Sequence, residues 1–277
     1  MKKSIIWLAS YPKSGNTWAR IFLANYLANT EQPIALNQIH RFGMGDAIAR
    51  TYNMVNGAEI DLQDQSAILR LRPRVLQGIV ANNADVNFVK THNVNGPAYG
   101  HELIPPQVTR SAIYIVRNPL DVTLSFARHF GRTHKETVDA LANPDHVTTP
   151  DGSNVWQYLG SWSDHVMSWA SAKPYPVLVL RYEDMLSDPQ TSFGSMLKHI
   201  GMPVDDARLE KAIKFASFEE SSKQEDERGF NEASPKSERF FSKGKSDQWK
   251  EDLAPQLIKN TKRWHRKVMK KFGYLDD

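Results

Sequence analysis

The chain has no cysteine among its 277 residues, which excludes disulfides, zinc ribbons, iron–sulfur clusters and thiol nucleophiles. No apolar run approaches the roughly 18–20 residues needed to span a bilayer. The start, Met1-Lys2-Lys3-Ser4, is like the n-region of a signal peptide, yet the apolar stretch from Ile5 to Ala9 is too short for an h-region. Internal repeats and a Pro/Gly-rich linker are also missing, so one domain over residues 1–277 is expected. With 40% hydrophobic and 24% charged residues, disordered, collagen-like and low-complexity classes are excluded. The expectation is a soluble cytoplasmic protein with no membrane partner.

Excess charge of one sign is small overall, a formal +4, but uneven. Between Lys243 and Lys271 ten basic residues face three acidic ones. Such a segment suits an anionic ligand, a membrane surface or nucleic acid, or it is simply the solvated face of a helix.

Short apolar runs set the architecture. Residues 4–11, 86–91, 112–116 and 176–180 are nearly continuous apolar stretches without polar alternation, as expected of parallel strands covered on both faces. Helical periodicity follows from Asn16 to Asn29, from Pro119 to Phe130 and from Pro189 to His199. Strands alternating with helices predict an α/β fold, a doubly wound central parallel sheet flanked by helices. Three stretches read as irregular: 40–64, 131–154 and 219–245, the last rich in Ser, Glu and Lys and expected to be a mobile flap.

Ligands of open parallel sheets sit beyond the carboxyl ends of the strands. The first loop there is Tyr11-Pro12-Lys13-Ser14-Gly15-Asn16-Thr17-Trp18. Gly15 permits close backbone approach, and the amides that follow lack intrahelical partners. They can donate to an anion, helped by the helix dipole, the Ser14 and Thr17 hydroxyls and the charge of Lys13. An ordinary capped strand-to-helix turn is the alternative. The loop is not a Walker A sequence, because Lys13 precedes the only glycine by two positions.

Two further strand ends carry chemistry. Lys90 and His92 are two residues apart at the end of a strand and so project to one face. Arg117 follows the third strand, with Asn118 a plausible N-cap, Pro119 at the first helical position, and Ser125 two turns along. Arg117 and Ser125 can converge on one anion; the competing reading pairs Arg117 with a carboxylate such as Asp121.

The segment Tyr-Pro-Lys-Ser-Gly-Asn-Thr-Trp resembles the phosphosulfate-binding loop of cytosolic-type sulfotransferases, a P-loop-like element, with Asn16 where that family usually has Thr. The resemblance continues in order through Lys90-Thr91-His92, Arg117 to Ser125, Leu180-Arg181-Tyr182-Glu183-Asp184, Ala216-Ser217-Phe218 and Phe241-Ser242-Lys243-Gly244. It implies sulfuryl transfer from 3′-phosphoadenosine 5′-phosphosulfate (PAPS) to a hydroxyl, less readily an amine, of a small-molecule acceptor, with no metal and no nucleic acid. By resemblance His92 is the general base, and Lys13, Lys90 and Ser125 assist. The nucleotide is held by Lys13, Ser14, Gly15, Asn16, Thr17, Trp18, Arg117, Ser125, Tyr182, Ser217, Phe218, Lys243 and Gly244. The 3′-phosphate falls to Arg117 and Ser125, and the purine to Tyr182, Trp18 and Phe218. Two departures stand out: Ala216 replaces a common Thr, and Ser242 replaces an Arg, for which Arg239 is a candidate substitute. Phe42, Tyr52, Tyr99 and Phe130 are candidate walls of the acceptor pocket. A kinase-like phosphotransferase using ATP, and a non-catalytic nucleotide- or nucleic-acid-binding module, are the competing functions.

Overall fold

A computed structural model describes residues 4–82 and 84–276. Its centre is one sheet of five strands: β1 (Ser4–Ser10), β2 (Met44–Gly45), β3 (Val86–Thr91), β4 (Thr109–Val116) and β5 (Val177–Arg181). The order is β2-β3-β1-β4-β5, and every neighbouring pair is parallel. The chain runs from β1 outward to β3, then crosses β1 to reach β4. Loops after β1, β3 and β4 therefore meet at the carboxyl edge, the position where open α/β sheets hold ligands.

Alternate residues of the strands feed two cores, the side-chain period of a sheet covered on both faces. Ile5, Trp7 and Ala9 of β1, with Ala112, Tyr114 and Val116 of β4, join one core. It is covered by helices α2 (Ala49–Asn56), α3 (Gln65–Val80), α4 (Pro119–Phe130), α5 (His134–Ala142), α6 (Trp162–Ala170) and, past the chain's last turns, the helix Pro255–Lys271. Ile6, Leu8, Ile113 and Ile115 join the other core, under α1 (Asn16–Ala28) and the helices Pro189–His199 and Asp206–Phe215. The strands, α1 and α4 thus follow the apolar pattern, although β4 begins at Thr109, three residues before the expected start.

Two irregular stretches prove partly helical. Within 131–154 lies α5, whose Thr133 and Glu136 form a reciprocal capping box. Within 219–245, the helix Phe218–Arg228 occupies the first third of the expected flap and is capped by Ser217. Both starts carry an [ST]-x-x-E signature that outweighs the missing apolar periodicity. The basic segment supplies the helix Pro255–Lys271, which buries Thr261, His265, Val268 and Met269. The cations of this helix lie on its solvated side, and none of them lines the ligand cleft. Among the described residues no helix is long and apolar enough to cross a membrane.

Candidate active site

The rim loops open onto a cleft of about 1010 Å³. Between β1 and α1 the backbone turns through two left-handed residues, Lys13 at φ 68° and Gly15 at φ 107°. Glycine alone takes such a φ without strain, and a Cβ at Gly15 would lie 2.7 Å from Tyr182 Cδ2. Conformation and close packing both demand the glycine. The first amides of α1 lack intrahelical partners and face the cleft end of the helix dipole.

The loop's side chains divide in use. Lys13, Thr17 and Trp18 line the cleft. Ser14 does not: it is fully buried, and its Oγ has no hydrogen-bond partner. Asn16 lines the cleft but donates its side-chain amide to the Leu8 carbonyl at 2.8 Å. That bond uses one of the two N–H groups of the amide and ties α1 to β1.

Lys13 has no carboxylate partner among the described residues. Its Nζ stands 3.8 Å from the centroid of the Phe240 ring and 3.4 Å from His129 Nδ1. Burial first, then the charges of Lys90 and Arg117, bring its pKa down from 10.5 to about 7. An ammonium held this way is poised for an incoming anion, which would restore its proton affinity.

Lys90 and His92 both line the cleft, while Thr91 between them turns to the opposite face. There Thr91 donates to Asp46 at 2.8 Å, and Asp46 pairs with buried Arg72 at 2.6 Å. This network anchors the end of β3 beneath its two functional side chains. His92 Nδ1 lies 2.7 Å from the carbonyl oxygen of Ser10. A carbonyl only accepts, so the proton sits on Nδ1 and Nε2 keeps its lone pair. Burial, followed by the charge of Lys90, holds the imidazole well below its ordinary 6.5. It is neutral at pH 7 and able to take a proton.

Arg117 donates to the carbonyls of Lys13 at 3.1 Å and Lys245 at 3.2 Å, and lies 4.3 Å over the Tyr182 ring. Its Nε is buried without a partner. Asp121, the carboxylate that might have claimed it, accepts instead from the amides of Asp247 at 2.8 Å and Trp249 at 3.2 Å. Asn118 caps α4 by accepting from the Leu120 amide at 3.0 Å, and Ser125 lines the cleft two turns on.

The aromatic side is built from Trp18, edge-on to Tyr182 at 5.8 Å, and from Phe218, whose ring packs so closely on Gly244 that a Cβ there would collide with it. Ser217 lines the cleft while its Oγ accepts from the Glu220 amide at 3.2 Å. Lys243 reaches the rim, but its Nζ pairs with Asp252 at 2.7 Å. Arg239 is corrected as the substitute for Ser242. It pairs with Asp226 at 2.7 Å and donates to Ser222 Oγ at 2.7 Å, away from the cleft wall.

Several cleft residues carry no motif. Glu232, deep in the supposed flap, accepts from Arg20 Nη1 at 2.7 and 3.0 Å and lies 3.5 Å from Lys90 Nζ. Against burial, which acts to raise it, Lys90 and Arg20 pull this carboxyl to about 2. The second half of the flap is therefore pinned to the sheet by charge. His129 and Arg128 follow Ser125 on α4, and spacing from Ser125 was the available signal for Arg128. Nothing in the sequence singles out Glu232. Of the expected acceptor walls only Phe130 lines the cleft. Tyr52 is buried and accepts from Arg72 at 3.4 Å, and Tyr99 is exposed against Tyr158. Polar residues from 146 to 157, among them His146, Thr148, Thr149 and Gln157, stand there instead.

An open parallel sheet with helices on both faces, whose strand-end loops bring a glycine turn, Lys13, Lys90, Arg117 and the His92 imidazole to one cleft, places the chain in the doubly wound α/β class. The chain belongs to the sulfotransferase domain family, whose model matches residues 3–273. Human sulfotransferase 1C2 is 29% identical over 226 residues, 79% of this chain and 66% of that protein. Flavonol 4′-sulfotransferase of Flaveria chlorifolia is 27% identical over 274 residues, covering 91% and 75%. The matches span 58% to 66% of the length of the four mammalian relatives of the 1B and 1C types. Retinol dehydratase, solved with androsterone and inactive cofactor PAP, superposes with a TM-score of 0.67 at 19% identity, covering 98% of this chain and 82% of that one. Mouse sulfotransferase SULT7A1, complexed with PAP, gives 0.62 at 22%, covering 97% and 84%. These two likenesses establish the fold.

Proposed function

We propose that the chain transfers a sulfuryl group from PAPS to a hydroxyl of a small-molecule acceptor, in line, with His92 as general base. One observation carries this reading: the lone pair of His92 Nε2 opens into a cleft it shares with Lys90 and with Lys13, which makes no ion pair among the described residues. The residues fit a doubly phosphorylated adenosine. Orphaned Arg117 Nε and the free α1 amides are donors without acceptors, and the Gly15 turn leaves no room for a side chain. Among the described residues no group of three or more His, Asp or Glu is placed to hold a metal.

The donor, when bound, supplies a sulfuryl group already activated by its phosphate leaving group. Lys13 and the amides from Gly15 to Thr17 hold the 5′ anion and stabilise charge that grows on the bridging oxygen. Lys90 neutralises the sulfuryl oxygens. Arg117 and Ser125 take the 3′-phosphate, and Tyr182, Trp18 and Phe218 border the purine, with Ser217, Lys243 and Gly244 at the rim. His92 Nε2 accepts the acceptor's proton as its oxygen bonds to sulfur; the Ser10 carbonyl then steadies the imidazolium through Nδ1–H. The protein thus contributes alignment and electrostatic stabilisation more than covalent chemistry. Relatives named for flavonols, and a retinol dehydratase solved with androsterone, support a small-molecule acceptor.

The test is incubation with PAPS and a mixed hydroxyl library in the presence of a metal chelator. Acceptor-dependent formation of adenosine 3′,5′-bisphosphate is expected, falling roughly 10²–10⁴-fold in His92→Ala with nucleotide affinity retained. Turnover unchanged by that substitution would remove His92 as the base, and a chelator-sensitive transfer from ATP would replace the reading altogether.

A further inference from the structure

Three of the cations lining the cleft are in ion pairs: Lys243 with Asp252, and Arg20 and Lys90 with Glu232. Among the described residues Lys13, Arg117, Arg128, Arg132 and Lys236 line it in no ion pair. Of these, Arg128 stands out by its position. It lies on α4 three residues beyond Ser125 and seven beyond Asp121, so the three occupy one helical face, and all three line the cleft. Among the described residues Arg128 makes no hydrogen bond and no ion pair; Asp252, the carboxylate that senses its charge, is taken by Lys243 at 2.7 Å.

Arg117 is its neighbour in charge: burial first, then the Arg117 guanidinium, lower the proton affinity of Arg128. Arg117 itself has spent Nη1 on the Lys13 carbonyl and Nη2 on that of Lys245, keeping a buried, unpartnered Nε. One partly engaged fork is a poor match for a phosphate with three terminal oxygens, whereas a second guanidinium brings five free N–H donors. A buried guanidinium and a half-buried one that feel each other's charge, neither of them in an ion pair among the described residues, call for an anion of more than one charge.

We propose that Arg128 is a specificity-determining residue that closes, with Arg117 and Ser125, on the 3′-phosphate of the nucleotide. It supplies from α4 a second guanidinium, which Arg239, turned to Asp226, does not deliver. This rests on the nucleotide reading above, and the experiment separates the two.

Binding of adenosine 3′,5′-bisphosphate and of adenosine 5′-phosphate is measured by calorimetry, at fixed salt, for the wild type, Arg117→Gln and Arg128→Gln. Arg128→Gln should weaken the bisphosphate about 10- to 100-fold, the range for a charged hydrogen bond to phosphate, and the monophosphate by less than about 2-fold. Thermal melts of the ligand-free variants check that the fold is kept. If the wild type does not prefer the bisphosphate, the nucleotide reading itself fails. If it does, and Arg117→Gln erases the preference while Arg128→Gln preserves it, the role of Arg128 alone is overturned. Equal losses for both nucleotides would mark a general charge attraction and overturn it too.

Discussion

Lys13 should weaken the ligand-free protein that needs it. Its ammonium is half-buried beside Lys90 and Arg117, and its pKa falls from 10.5 to about 7. Each tenfold change in proton affinity is worth about 1.36 kcal/mol, so the upper limit of the cost near neutrality is roughly 4–5 kcal/mol. Water reaching the half-buried group reduces this to about 1–3 kcal/mol. Because the folded pKa lies below the unfolded one, the unfolded chain binds more protons between pH 7 and 10.5. Stability of the wild type must therefore rise with pH across that window. Lys13→Met removes the charge at similar length and should raise the urea midpoint of the ligand-free protein at pH 7. Its advantage over the wild type should shrink as the pH climbs to 9. The same variant should lose nucleotide binding. Equal midpoints at pH 7, or a gap between the two proteins that stays constant with pH, would refute the reasoning.

The pH profile tests His92 in a second way. A base must be neutral, and His92 is held well below 6.5, so kcat at saturating donor, where the bound anion restores the Lys13 proton, should stay level from pH 7 down past 6.5 and fall only at lower pH. A rate already halved at 6.5 would point to an ordinary exposed histidine. Gly15→Ala meets both a left-handed φ of 107° and the Tyr182 ring at 2.7 Å; an urea-unfolding loss of about 1–3 kcal/mol and a matching loss of nucleotide affinity are expected. Wild-type affinity in that variant would mean the turn does not need its close approach to Tyr182.

The sequence made the framework legible where physics is local. Continuous apolar runs marked β1, β3, β4 and β5 because strands covered on both faces have no polar side. The turn at Gly15, the Asn118-Pro119 start of α4 and the pair Lys90 and His92 were legible because spacing alone puts them at strand ends. What depends on distant contact was not. α3 carries Pro73 in its interior, which breaks a helical pattern that tertiary packing nonetheless sustains. Glu232 sits in a stretch with almost no aliphatics, and only the folded chain brings it to Arg20 and Lys90, which are 212 and 142 residues away. Residue type marked Ser14 and Asn16 as polar donors, but the full burial of the Ser14 hydroxyl and the bond from the Asn16 amide to the Leu8 carbonyl are outcomes of packing. Tyr52 and Tyr99 show the same limit, since aromatic content does not say whether a ring faces a core, a cleft or solvent.

The most direct measurement is a crystal structure with adenosine 3′,5′-bisphosphate bound. The 5′-phosphate is expected on the amides after Gly15 with Lys13 beside it, the 3′-phosphate between Arg117 and Ser125, and His92 Nε2 facing the vacated side of the 5′-phosphate. Adenosine seated elsewhere, or a 5′-phosphate turned away from His92, would contradict that placement.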